Sequence, residues 1–401
     1  MDQQIDVLVV GAGPVGMWTA LRLRQLGVQK ILPIDRTHRM HLHSYALALH
    51  GRTLELLEKA DLLQEVLARS HRIERIALYE GDRLQAELDL TALPGSHPYV
   101  LVLPQSTLEA IFEHHLRAHH TPVRWQEELL EAEMGPRSVR ARIGTISQGM
   151  QGYPILELVE HIGHLRDLEA RFVVGADGLH SRMRQLLEID YPLLGEPTYC
   201  TFFEFHTAES LPDEMRLQFD GALRSALWPI GQGRYRWIFQ IEAAEADRPI
   251  SSEWFDELLR SRAPWWADVP REVVWMSKAC FEPRLAERFG SGRCWLLGDA
   301  AHLTWPFGVQ SMNRGIEEGE ALARALHGVL HGGAPETALE IWAEEARRSW
   351  EALLGITAQP EDAGASAWIL SHRFELLYSL PATGTDLEML LHQVGLRWRA
   401  S

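Results

Sequence analysis

Cysteine is scarce in this chain. Cys200, Cys280 and Cys294 are the only three in 401 residues, and no two form a CxxC pair. An odd count without metal spacing fits a reduced, cytoplasmic protein whose cysteines act as small buried hydrophobes. Positive charge is also in short supply: 39 Lys and Arg face 55 Asp and Glu, for a net charge of −16. Such a surface repels phosphate backbones and anionic bilayers, which argues against a nucleic-acid partner. No uninterrupted apolar run approaches the roughly 18 residues a membrane span needs. The first apolar run follows Asp2 and Asp6 rather than a basic region, so no signal peptide is expected. Repeats and low-complexity tracts are missing. What remains is a 46% hydrophobic chain, enough for one large domain or two interlocked ones.

The opening segment, IDVLVVGAGPVGMWTALRLRQLGVQKILPIDR, carries the first motif. Ile5 to Val10 reads as a buried parallel strand. Gly11-x-Gly13-x-x-Gly16 follows. Gly11 permits the tight turn, Gly13 lets the backbone approach a pyrophosphate, and Gly16 lets a helix pack on the strand. Pro14 and Val15 open that helix, whose first amides face the phosphates. A second strand, Val28 to Ile34, ends at Asp35-Arg36, about 20 residues past the glycines, where a ribose hydroxyl is held. Pro33 within it removes a ladder donor and calls for local adjustment. This segment points to a dinucleotide but leaves FAD and NAD open.

Two later segments repeat the grammar of an apolar strand followed by glycine and acid: ARFVVGADGLHSRMRQLL, with Asp177-Gly178, and GRCWLLGDAAH, with Gly298-Asp299. Alone, each is a turn. In order, GAGPVG, GADGLHSR and GDAAH resemble the class A flavoprotein monooxygenases, the family of para-hydroxybenzoate hydroxylase, over roughly residues 3–330. The resemblance implies FAD as cofactor, with Asp35 on the adenosine ribose and Asp299 on the ribityl chain. Asp177 and Gly178 would lie near FAD and the path of a transient NAD(P)H. Gln105 matches a family glutamine or arginine near the ribityl and pyrophosphate, and the backbone around Leu129 would touch adenine. His43-Ser44 stands where the family usually has an arginine against the flavin.

After Asp299 the family reads roughly Pro-x-Gly-Gly-x-Gly-x-Asn, then helix. This chain reads Pro306-Phe307-Gly308-Val309-Gln310-Ser311-Met312-Asn313. A helix mouth there offers N–H donors and partial positive charge to the electron-rich edge of reduced flavin. Val309 and Ser311 replace two glycines; valine adds bulk and resists positive φ, and Ser311 adds a hydroxyl able to cap or touch the flavin. Glu318-Gly319 replaces Asp-Ala.

The middle of the chain changes texture. Residues 199–241 alternate and are rich in aromatics, with a turn at Gly231-Gln232-Gly233, and 76–90 suggests a hairpin at Gly81-Asp82. Phe203, Phe205, Trp228 and Trp237 either line an aromatic substrate pocket or pack the core. Arg224, Arg234 and Arg236 either bind a substrate acid or lie on solvated faces. His115 and His119 stand at metal-like i, i+4 spacing, but no third ligand is near, so no metal site is expected; His302 reads as packing or capping. No catalytic side chain is assigned, because the flavin does the hard step.

The expected architecture is α/β: a doubly wound, Rossmann-like FAD domain from 1–75, 95–185 and 275–330. A mostly antiparallel substrate domain takes 76–94 and 186–274, and helices take 331–401, a tail too short for the thioredoxin-like domain of some relatives. The expected function, implied by the resemblance, is hydroxylation of an aromatic or other electron-rich small molecule with NAD(P)H and O2, through a C4a-hydroperoxyflavin, by a monomer or homodimer. A reductase, oxidase or halogenase on the same fold is one alternative, although ALWPI lacks the halogenase Gly-Trp-x-Trp-x-Ile-Pro run. An FAD-binding protein without turnover is the other.

Overall fold

The computed structural model describes residues 4–38, 46–151, 157–209, 211–266, 268–269 and 271–399. Its first sheet has a parallel centre. Strand Ile5–Val10 lies between Ile31–Asp35 and the end of the long strand Glu157–Gly175; Cys294–Leu296 and Arg124–Trp125 flank them in parallel. Val7, Leu8, Val9 and Val10 are all buried, so both faces of the central strand are covered, which explains its unbroken apolar run. Pro33 sits inside its strand opposite Val9. Strand Val139–Gln151 extends the sheet as an antiparallel neighbour of Glu157–Gly175, and Glu127–Met134 pairs antiparallel with Val139–Gln151 in turn.

Helix Pro14–Gln25 crosses the long helix Gln310–His331 at close range. Gly315 and Gly319 make that possible: a Cβ on either would run into Val15 or Thr19 of the opening helix. A buried ion pair, Arg22 to Glu320, lies further along the same crossing, with Nε to Oε2 at 2.6 Å.

The second sheet has seven strands, in the order Glu272–Phe281, Thr198–His206, Arg234–Ile241, Leu223–Gly231, Met215–Asp220, Arg75–Glu80, Arg83–Asp89. Neighbours are antiparallel except Met215–Asp220 with Arg75–Glu80. Its two faces differ. Phe203, Phe205, Trp237 and Phe239 pack under helix Ser252–Arg262 with Trp254, Phe255 and Trp266, as a small core of their own. Phe202, Trp228, Ile238, Leu217 and Phe219 belong instead to the large core shared with Phe307, Val309 and Met312. So three of the four aromatics singled out from the sequence face away from the Pro306–Asn313 loop; only Trp228 faces it.

Past the long helix, helices Thr337–Leu353, Ala367–Ser371, Arg373–Ser379 and Gly384–Gln393 close the chain. Among the described residues, no helix is long and apolar enough to cross a membrane.

Candidate cofactor site

Loops from four parallel strands leave the same edge of the first sheet. They carry Gly11–Gly16, Asp35, Asp177-Gly178 and Gly298-Asp299. In an open α/β sheet this carboxyl edge is where ligands bind. The loops touch: a Cβ on Gly11 would run into the carbonyl of Ala176, and one on Gly298 would sit 3.2 Å from Val15 Cγ2. Gly13 differs. Nothing lies within 4 Å of where its Cβ would be, and its φ of −70° and ψ of 179° suit any residue. No described neighbour therefore excludes a side chain there, and the space beside the helix mouth is open to a ligand. Gly13 also caps the opening helix without a side-chain hydrogen bond, so the first amides keep their donors for a ligand.

Asp35 ties this loop to its own strand. Its Oδ2 accepts from the Ala12 amide at 2.7 Å, and Oδ1 accepts from the amide and hydroxyl of Thr37 at 2.8 and 2.7 Å. Each carboxylate oxygen has about two lone-pair sites, so Oδ2 retains room for a ribose hydroxyl. Arg36 is exposed, its Nε 3.7 Å from Glu128 Oε1.

Asp177 does a helix-capping job. It accepts from the Ser181 hydroxyl at 2.5 Å and the Met183 amide at 3.0 Å; burial raises its carboxyl above the usual value despite those donors. Gly178 beside it has φ of +76° and open space at its Cβ position. Asp299 is solvent-accessible, yet protein walls it closely enough that desolvation raises its carboxyl, with His302 opposing. A carboxylate reachable by solvent but recessed in protein suits a polyhydroxyl chain.

The two acid loops are joined by Arg184, which the sequence did not flag. Its Nη1 donates to Ala300 O at 3.0 Å and its Nη2 to Leu179 O at 2.7 Å, and its guanidinium stacks on Tyr191 at 4.1 Å. Behind them His302 stacks on Trp350 with centroids 3.8 Å apart; it shares a 2.7 Å hydrogen bond with Glu318, which also accepts from Trp350.

Pro306 to Asn313 forms the second helix mouth. Val309 adopts the left-handed conformation, φ 51° and ψ 35°, and gives the helix no side-chain cap. Pinning groups surround it. Asn313 Nδ2 donates to Val309 O at 2.8 Å and Ala48 O at 2.9 Å, while its Oδ1 accepts from the His50 amide and the Thr53 hydroxyl. His50 Nε2 donates to Gly308 O at 2.9 Å; burial pushes its imidazolium down to about 3, so the ring stays neutral. Gln310 Nε2 donates to the carbonyls of Leu377 and Leu380. Ser311 Oγ accepts from the Thr304 amide at 3.2 Å, and Met312 is buried. The side chains of Gln310 and Asn313 thus serve the loop, leaving backbone amides for a ligand.

Gln105 heads the helix Gln105–Ala118, and its Nε2 donates to Glu109. Leu129 is buried opposite Ile143 beside a bulge. His43 and Ser44 lie outside the described residues.

The donor set fits a flavin dinucleotide: an unfilled glycine at one uncapped helix mouth, a second uncapped mouth, and two strand-end acids able to take hydroxyls. The comparisons agree. A family model described as FAD binding domain matches residues 4–356. The chain belongs to this FAD-binding family of flavoprotein monooxygenases. The flavoprotein is 31% identical over 352 residues to a rifampicin monooxygenase of Streptomyces venezuelae, covering 85% of this chain and 67% of the relative. It is 28% identical to an uncharacterised aromatic compound monooxygenase of Bacillus subtilis, covering 88% and 68%. Among solved structures it resembles p-nitrophenol 4-monooxygenase of Pseudomonas putida in fold, with TM-score 0.76 at 22% identity over 98% and 94% of the two chains. It also resembles aklavinone-11 hydroxylase in complex with FAD and aklavinone, with TM-score 0.70 at 26% identity over 88% and 69%.

Proposed function

We propose that this flavoprotein oxygenates an aromatic or other electron-rich small molecule, with NADH or NADPH as reductant and O2 as oxidant, as a cytoplasmic monomer or homodimer. The observation that carries this reading is the convergence of two uncapped helix mouths and two recessed acids on one sheet edge. The names of the relatives support the substrate class, and three free cysteines support a reducing compartment.

Bound FAD would supply reductant storage and oxygen activation; the chain's residues bind, orient and exclude water. Amides behind Gly13 would take the diphosphate, Asp35 the adenosine ribose and Asp299 the ribityl hydroxyls. Asp177 would shape its loop, with Gly178 leaving an approach for the nicotinamide. Amides from Val309 to Met312 would face the pyrimidine edge, where preorganised donors stabilise negative charge without reorganising. The substrate would sit between that loop and the inner face of the second sheet.

On that face Ala226, Ile238, Phe202 and Ser277 stand in register, and so do Trp228, Arg236, Glu204 and Trp275. Trp275, Ser277 and Phe281 on the edge strand are half-buried, and Trp305 stacks on Tyr378 at 4.0 Å. The aromatic surfaces among them, Trp228, Trp275, Phe281 and Trp305, suit a flat ring and the exclusion of water. Arg236 and Arg234 both pair with Glu204, which argues against their binding a substrate acid. Arg224 instead contacts Gln240, Ser379 and the ring of Phe307, tying sheet to loop.

The test is purified protein loaded with FAD and mixed with NADH or NADPH and a panel of phenols and polycyclic aromatics. Substrate-stimulated oxidation of the nicotinamide, with one O2 consumed per hydroxylated product, is expected. The left-handed Val309 favours one second reading, an FAD-binding protein without turnover. Retained FAD that neither nicotinamide reduces would support it over the first.

A further inference from the structure

The helix Gln105–Ala118 turns one carboxylate into the protein. Glu109 is 4% exposed, and its Oε1 accepts from Gln105 Nε2, one turn earlier, at 2.7 Å. Across from it, at the end of the second strand, the charge that bears on Glu109 is another acid, Asp35. Among the described residues, no cation answers the two. On the opening helix Arg22 is committed to Glu320, and Arg24 to His119 O and Gln29. His115, on Glu109's own helix, pairs with Glu65. The remaining partners of Asp35 are the amides of Ala12 and Thr37 and the Thr37 hydroxyl. Burial, with the Asp35 charge adding and the Gln105 hydrogen bond opposing, raises the Glu109 carboxyl to about 7. A buried carboxyl without a cation avoids the cost of charge by keeping its proton.

We propose that Glu109 is a positioning residue for FAD capture: protonated, it seats the Gln105 amide and admits the diphosphate; ionised beside Asp35, it opposes the cofactor. The neutral acid still accepts from Gln105 through its carbonyl oxygen and gains an O–H donor. The ionised acid adds a second negative charge where a doubly negative diphosphate must arrive. This inference rests on the reading that Gln105 and Asp35 flank the diphosphate and adenosine half of FAD. The sign follows. Bringing negative charge to Glu109 raises its proton affinity, so binding takes up a proton and is tightest at acid pH.

The test is a titration of the full-length apoprotein with FAD, followed by flavin fluorescence from about pH 6 to about pH 9. Kd for the wild type should rise by up to about tenfold per pH unit above about 7. Glu109→Gln keeps an acceptor for Gln105 and cannot ionise; its Kd should stay flat and match the acid limit of the wild type. Calorimetry of the wild type in buffers of different ionisation enthalpy provides a second measure that needs no variant, with uptake of a proton expected near about pH 8. A wild-type Kd as flat as that of Glu109→Gln, or no proton taken up, overturns the proposal. Failure to bind FAD at any pH would instead sink the assignment of the site, and this inference with it.

Discussion

Two helices meet the carboxyl edge of the first sheet with no side-chain cap, and they reach that state by different means. At the first mouth Gly13 is relaxed, with extended backbone and open space where a side chain would go. At the second, Val309 is a β-branched residue held at φ 51°, a conformation that costs a non-glycine residue about 1–2 kcal/mol. The first mouth is empty by composition. The second is shaped by force, and the force comes from Asn313, His50 and Gln310 around it. A mouth that uses glycine for space should respond to added bulk without losing its fold; a mouth held by a clamp should respond to loss of the clamp.

The clamp should give the larger effect. Asn313→Ala leaves the His50 amide, the Thr53 hydroxyl and the carbonyls of Ala48 and Val309 without their partner, all buried. Each unsatisfied buried group costs about 1–3 kcal/mol, with relaxation and water recovering part. A loss of about 4 kcal/mol in denaturant unfolding of the apoprotein is expected. A loss below about 1 kcal/mol would mean that the helix mouth holds itself without Asn313.

The glycine mouth should separate binding from stability. No described atom lies within 4 Å of where a Cβ on Gly13 would sit, and the backbone there is allowed for any residue, so Gly13→Val should cost the apoprotein no more than about 1 kcal/mol, the loss of a favoured helix-cap residue. If the diphosphate approaches at Gly13 as proposed, the branched side chain stands in its way, and FAD affinity should fall about a hundredfold, or about 2.7 kcal/mol. Gly11→Ala supplies the contrast: its Cβ would strike Ala176, so it should destabilise the apoprotein itself. If Gly13→Val binds FAD as tightly as the wild type, the diphosphate does not lie there.

The difference between the mouths also marks what could be read from sequence. Glycine spacing, strand-end acids and apolar runs are local, so the first mouth and the parallel centre of the sheet were legible. The alternation around Phe203 and Trp237 announced a two-faced sheet but not which face meets the Pro306–Asn313 loop; that depends on helix Ser252–Arg262, which covers the aromatic-rich side. Arg184, His50 and Glu109 were not legible. The contacts of Arg184 with Ala300 and of His50 with Gly308 cross 116 and 258 residues of chain, and no local pattern encodes such a pairing. Glu109 lies one turn from Gln105, but a glutamate on a helix reads as solvated until burial shows otherwise. Val309 was legible only as a conflict between residue type and required backbone.

That conflict yields the smallest effect and the sharpest sign. The Val309 side chain is buried, so truncating it costs burial whichever residue replaces it, and comparison with the wild type mixes that loss with any relief of strain. Comparing two truncations cancels it. At an ordinary position Gly is less stable than Ala by about 0.5–1 kcal/mol, because the unfolded chain gains freedom. At a left-handed position Ala keeps the steric cost and Gly loses it. Val309→Gly should therefore unfold at higher denaturant than Val309→Ala, by about 1 kcal/mol, reversing the usual order. The usual order would mean that position 309 is not left-handed in solution. The two mouths would then be alike in backbone, and the clamp around Asn313 would hold a helix start that bears no strain.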